Sequence, residues 1–541
     1  EVYCYGSGRL RVNGEEVKSF SNKHGARKST HAMKVQAGKS YDLELDFEYL
    51  RSDAQLNFDL GFKKDVDIRK SVERVKDADI VIFASGISPS LEGEEMGVNL
   101  PGFKKGDRTD IELPAVQREL IDALHRAGKK IILVNCSGSP IGLEPETQKC
   151  EAILQAWYPG QQGGTAVAEV LFGDYNPAGK LPVTFYRNVS QLPDFEDYNM
   201  TGRTYRYMQD VPLFPFGYGL SYTTFGYGKT VLDKNELTAG QSLKLTVPVT
   251  NTGKRNGEEV VQVYYEAPQG KLGRPVRTLA AFQKTALLKP GETEEMTITF
   301  PVTEMAAYDD GGYTGHKSCY VLEAGTYGIY VGNSVRNAKQ VSVDGKEAYV
   351  IQNTEVVEVL EEALAPQKAF TRMKPGARLE DGSYELIMEE VPLRSINLRE
   401  RIEERLPEEN EMTGNKGYKL SQVATKEVSL ETFVAQFTEE ELAAIVRGEG
   451  MGHPDVTPGT ASAFGGVSDS LVKYGLPLAC AADGPSGIRM EGGRDAMQLP
   501  IGTLLAATWN PVLVRKLYTM LGRELGENQV DTLLGPGLNI H

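Results

Sequence analysis

Cysteine is scarce in this chain, with five in 541 residues (Cys4, Cys136, Cys150, Cys319 and Cys480). They are odd in number, scattered and without CxxC spacing, so neither a disulfide framework nor a zinc site is expected. Cys136 and Cys480 stand in apolar runs and read as buried structural thiols, which favours a reducing, cytoplasmic setting. The six histidines do not fall at ligand spacing, and no metal or other cofactor is expected. Basic excess is also missing. Lys and Arg total 59 against 74 Asp and Glu, a net charge of −15, which argues against nucleic-acid and anionic-membrane partners. No apolar run approaches the ~20 residues of a membrane span, and EVYCYGSGRL at the start lacks the charged-then-apolar layout of a signal peptide. Gly-x-Ser-x-Gly is absent. GEGMGHP (448–454) has glycine spacing but neither a preceding strand nor GK[ST], so a phosphate loop is not expected.

What is present is ordinary globular composition, 40% apolar and 25% charged. Single cores rarely exceed ~250–300 residues, so three or four domains are expected. Residues 1–62 alternate like β-strands, and RLRVNGEEV places two of them around an Asn-Gly turn. From Val66 the period changes to alternating helices and buried strands: RKSVERVKDA, DIVIFASG, AVQRELIDALHRAG, KIILVNCSG, AILQAWYPG and TAVAEVLFG. That order means a parallel, doubly wound sheet through residues 63–225. Residues 226–345 return to evenly spaced strands with Gly, Pro and Asn turns, the pattern of a β-sandwich. Residues 346–425 are charged and aperiodic and read as a connector. Residues 426–541 are α/β again, with two βα units that cannot by themselves close a barrel.

The chemistry gathers in Ser88–Pro114, SPSLEGEEMGVNLPGFKKGDRTDIELP, which leaves the strand Asp79–Ser85 and runs into a helix at Ala115. It carries Glu92, Glu94 and Glu95 within four positions. Loops at the carboxyl ends of strands in open α/β sheets bind ligands. Clustered carboxylates raise one another's pKa, as a general acid near neutral pH requires. The plain alternative is a solvated acidic loop. Gly484 and Pro485 turn the chain just after Asp483, leaving a carboxylate able to grip a vicinal diol; a turn aspartate is the alternative. Trp157 and Tyr158 end a strand and could offer a flat face to a sugar ring, or could simply be core.

AWYPGQQGGTAVAEVLFGDYNPAGKLPVTF (156–185) and PLFPFGYGLSYTTF (212–225) resemble the α/β sandwich domain of glycoside hydrolase family three. VTNTGKRNGEEVVQVY (249–264) resembles its fibronectin type III-like domain, and AADGPSGIRM (481–490) with LPIGTLLAATWNP and LLGPGLNIH the first part of its (β/α)₈ barrel. Residues 1–62 resemble the tail of a protective-antigen-type sugar-binding module. The barrel stretch follows the other domains, a reversed order for the family. The resemblance implies a retaining, exo-acting β-glycosidase that removes the non-reducing-end sugar from short β-linked oligosaccharides or aryl glycosides. The β-glucosidase type is preferred, with β-xylosidase or a non-catalytic carbohydrate-binding protein as alternatives. Its acid/base segment, Glu-x-Glu-Gly-x-Asp-Arg-like before Leu-Pro-x-x-Gln, matches Glu94 first, then Glu92 and Glu95, across an insertion. Asp107–Arg108 is implied to be a structural ion pair. Asp483 is implied to clamp sugar hydroxyls, with Arg489 supporting it. The aspartate nucleophile is implied to lie beyond His541, so the loop would act across a domain interface. A homo-oligomer is compatible with all of this.

Overall fold

A computed structural model describes residues 1–49, 56–62, 66–93, 96–233, 237–342, 349–362, 364–380, 383–491 and 494–537, apart from the side chains of 23–26. The chain forms two compact units. One comprises Glu1–Asp67, Asn410–Met497 and Leu521–Gly535; the other comprises Ile68–Glu409, Gln498–Met520 and Pro536–His541.

In the first unit the expected hairpin forms. Strands Val2–Val12 and Glu15–Ser29 pair antiparallel from Val12 opposite Glu15. Asn13 (φ 51°) and Gly14 (φ 83°) make the two-residue turn, both left-handed, as a type I′ turn needs. Leu43–Glu48 and Leu56–Phe58 add to the same central strand. Elsewhere in this unit Leu478–Asp483 pairs antiparallel with Ser462–Gly465 and parallel with Thr532–Leu534. Short helices pack Phe433, Phe437, Leu471 and Tyr474 into one apolar cluster beside these strands.

The second unit carries the α/β sheet, three parallel strands in the order Ala152–Gln155, Lys130–Cys136, Ile80–Gly86. Helix Ala115–Arg126 buries Ile121 and Leu124 against Ile131 and Leu133. Each such side chain contributes roughly 1.5–3 kcal/mol by leaving water. The Ile80–Gly86 strand is not buried on both faces as its apolar run suggests. Val81 and Phe83 pack on the core, whereas Ile80 and Ile82, on the opposite face, stay 53% and 49% exposed. Gln117 explains the Leu-Pro-x-x-Gln motif: its amide donates to Gly86 O at 2.8 Å and accepts from Gly86 N at 3.0 Å, pinning helix to strand end.

The sandwich places Phe225–Tyr227, Val231–Leu232, Ser242–Asn251 and Thr293–Pro301 in one sheet. Thr278–Lys284, Val260–Glu266 and Gly325–Gly332 head the other. SLKLTVPVTN alternates, so Leu243, Leu245, Val247 and Val249 all face the core, opposite Val261, Val263 and Ile329. The stretch 346–425 is not a bare connector. Glu355–Val359 pairs with Cys319–Leu322, and Thr371–Arg378 forms a hairpin with Tyr384–Glu390. Arg372 grips Asp310 through two nitrogens, at 2.6 and 3.2 Å, so charge that reads as solvated is spent on pairing. The five cysteines are free, with Cys480 buried and Cys136 half-buried.

Candidate active site

The carboxylate loop leaves the carboxyl end of Ile80–Gly86, and the chain after Lys130–Cys136 comes up beside it. The insertion within the loop is folded. Asn99–Leu100, Phe103–Lys104 and Asp107–Arg108 form a small antiparallel meander, and Phe103 is buried in the core beneath. Gly106 has φ 89°, and a Cβ there would stand 2.0 Å from Gly93 O. Only glycine allows this approach, which closes the base of the loop with Gly93 N donating to Gly106 O at 3.2 Å and Met96 N to Lys105 O at 2.9 Å. At the far end Glu112 pairs with Arg118, which also holds Glu146 at 2.9 Å and Gly142 O at 2.7 Å.

Glu92 is half-buried in this frame. Its Oε1 accepts from Ser139 Oγ at 3.2 Å. Arg108 Nη1 donates to that same hydroxyl at 2.9 Å and to Pro140 O at 3.1 Å. Burial pushes the Arg108 guanidinium down, and the charges of Glu92 and Asp110 partly restore it. Tyr158 borders the same crevice, its hydroxyl donating to Ile87 O at 2.7 Å. Burial, then the charge of Glu92, pushes that phenol up. Glu92, Ser139 and Arg108 therefore form one connected polar group at the sheet's carboxyl edge, with Tyr158 close enough to feel the charge of Glu92. Glu94 and Glu95 lie outside the described residues.

Two expectations change. Arg108 is not the partner of its neighbour Asp107; its guanidinium turns inward to Ser139 and Pro140, because adjacent residues on a strand point to opposite faces. Trp157 is 1% exposed and edge-on to Phe185 at 5.8 Å, so it has no free face for a sugar. Ser139 is the residue that reading missed, and no motif signals it; Tyr158, named there for its ring, enters through its hydroxyl instead.

Asp483 ends strand Leu478–Asp483 with its side chain 43% exposed. Gly484 (φ 147°) follows, and a Cβ there would meet Gly487 O at 1.9 Å, so the tight turn requires glycine. The turn brings Arg489 back: its N donates to Asp483 O at 2.7 Å, and Nη1 lies 3.5 Å from Asp483 Oδ2. Glu491 takes the other end of the guanidinium at 2.8 Å. Asp483 and Arg489 thus meet at the end of one strand. Among the described residues, no group of three or more His, Cys, Asp or Glu could hold a metal ion.

Residues 6–222 match the glycosyl hydrolase family 3 C-terminal domain, and residues 259–335 a fibronectin type III-like domain. The chain is 42% identical over 406 residues to a beta-glucosidase of Ruminococcus albus, covering 72% of this chain and 41% of that protein. It is 48% identical over 309 residues to a xylan 1,4-beta-xylosidase of Xylanibacter ruminicola, covering 57% of this chain and 35% of that protein. A solved beta-glucosidase from Paenibacillus barengoltzii superposes with a TM-score of 0.79 at 45% identity, over 89% of this chain and 53% of that one. The chain therefore spans well under two thirds of the relatives it matches. Two domains of the expected kind follow one another in the expected order: residues 6–222 carry a glycosyl hydrolase family 3 C-terminal domain, and a fibronectin type III-like domain comes after it.

Proposed function

We propose that the polypeptide carrying this chain is a retaining, exo-acting β-glycosidase of the β-glucosidase type, with Glu92 as its acid/base. The observation that carries this reading is the polar group around Glu92, a half-buried carboxylate oriented by Ser139 at the carboxyl edge of a parallel sheet. A retaining glycosidase needs such a carboxylic acid and a carboxylate nucleophile ~5–5.5 Å apart, with an oxocarbenium-like transition state between them. The acid protonates the leaving oxygen, then as carboxylate takes a proton from the attacking water. Asp483, exposed and steadied by Arg489, would accept hydrogen bonds from hydroxyls of the non-reducing-end sugar. The nucleophile would come from a later barrel strand, of which Leu478–Asp483 and Thr532–Leu534 would be early members. Identity to a xylan 1,4-beta-xylosidase supports xylosides as a second substrate class.

The test compares aryl β-glucoside and aryl β-xyloside hydrolysis by the complete polypeptide, with Glu92→Ala and Glu94→Ala. Glu92→Ala should lower kcat about 10²–10⁴-fold on substrates with poor leaving groups, far less on activated ones, with partial rescue by azide. If Glu94→Ala alone behaves this way, the acid is Glu94, as the Glu-x-Glu match has it. Release from neither glycoside by the unaltered enzyme would overturn the whole reading.

A further inference from the structure

The second unit holds a cavity of about 520 Å³ between the sandwich and the hairpin Thr371–Arg378/Tyr384–Glu390. It shares no lining residue with the carboxylate loop. Its floor is Glu266, at the end of strand Val260–Glu266. Tyr330 OH donates to Glu266 Oε2 at 2.8 Å, Tyr384 OH donates to Oε1, and Arg378 Nη1 lies 3.5 Å from Oε1. Tyr330 and Tyr384 are 4% and 5% exposed. Burial and the interaction with Glu266 push both phenols up, so they stay protonated and keep donating to Glu266. Arg277 braces the floor from its far side, its guanidinium carbon 3.9 Å from the Tyr330 ring centre.

The network is complete before any ligand arrives, so binding would cost little reordering. It also defines what fits. Glu266 is already paired with Arg378, and the phenol hydrogens that cover it disfavour a metal ion. Pro268, Pro375 and Ile387 give the walls apolar patches, while Arg378, its side chain 54% exposed, leaves donors at the rim. Donors at the rim and apolar walls below suit a molecule with hydroxyls around its edge and C–H faces. The volume lies within the ~300–1,000 Å³ of small-molecule sites. We propose that this cavity is a non-catalytic binding site for a neutral saccharide, formed jointly by the fibronectin-like sandwich and the Thr371–Glu390 hairpin. This inference does not depend on the role of Glu92.

Saturation-transfer NMR on the 541-residue chain, with cellotriose and xylotriose as probes, tests it. Saturable transfer is expected from at least one probe. Arg378→Ala should weaken it about tenfold, the loss of one charge-assisted hydrogen bond. Ala377→Trp, which fills the rim, should abolish it. The same losses are expected in an Asp483→Ala background, which removes any transfer through the sugar clamp proposed above. A thermal melt checks that Ala377→Trp remains folded; if it does not, the exposed Arg378→Ala decides alone. No saturable transfer from either probe, transfer indifferent to Arg378→Ala, or loss of transfer in Asp483→Ala would overturn the proposal.

Discussion

Lys180 and Glu259 form an ion pair at 3.0 Å with both side chains 3% exposed. One comes from the α/β domain and the other from the sandwich that follows it, so the pair joins the two. Lys180 Nζ also donates to Gly219 O at 2.8 Å, and Glu259 accepts from Val260 N at 2.8 Å and Asn333 Nδ2 at 3.3 Å. Lys180→Met should leave a buried carboxylate with two neutral donors and no countercharge. Breaking a buried pair this way costs about 3–5 kcal/mol. Lys180→Met with Glu259→Leu should cost less than the sum of the single changes, because no buried charge remains. The penalty left is that of the unpaired Gly219 O and Val260 N–H, about 1–3 kcal/mol each. A coupling of about 2 kcal/mol or more is therefore expected. Urea is the denaturant to use, since a salt would screen the charges. The only two tryptophans, Trp157 and Trp509, are 1% and 5% exposed in this same unit, so intrinsic fluorescence reports the transition of interest. Trp509 Nε1 even donates to Lys180 O, at 3.0 Å. A loss below about 1 kcal/mol for Lys180→Met, or simple additivity in the double variant, would refute the reasoning.

Trp157→Ala should destabilise the same unit by about 3–5 kcal/mol and leave KM for an aryl glucoside within twofold once the protein is held folded; a large KM rise alone would restore the aromatic as a sugar platform. Burial and then the charge of Glu146 push the Cys150 thiol up to about 11. Folding therefore favours its protonated form, and this contribution to stability is complete below the unfolded thiol's pKa and fades as pH rises toward about 11. At pH 8 iodoacetamide should label Cys150 on the order of a hundredfold more slowly in the folded chain than in urea, read by peptide mass mapping; equal rates would contradict the assignment.

Local periodicity carried much of the fold. Alternation in SLKLTVPVTN and the Asn13-Gly14 turn settle their strands because side-chain direction and a two-residue turn depend on a few neighbouring positions. Gly484 likewise announces the turn that exposes Asp483 and brings Arg489 back, since the contact spans only six residues. The site around Glu92 was legible only in part. The sequence marks the cluster of carboxylates, but not that Ser139 would orient one of them from 47 positions away.

What the sequence determined by itself is that a glycosyl hydrolase family 3 C-terminal domain precedes a fibronectin type III-like domain, because both rest on patterns local in the chain. Tertiary structure decided which side chains keep a free face. Trp157 is enclosed by Phe185, from 28 residues on, and Arg108 turns to Ser139 instead of to its neighbour. It also drew Gln498–Met520 into the unit of the α/β domain and sandwich, through Trp509 on Lys180 O and Ile501 N on Tyr158 O. The charged stretch after residue 345 shows the same division. Its aperiodicity predicts a linker, yet Arg372 and Tyr384 find Asp310 and Glu266 more than 60 positions away. Pairing at that separation leaves no periodic trace, because it is set by which surfaces meet after folding.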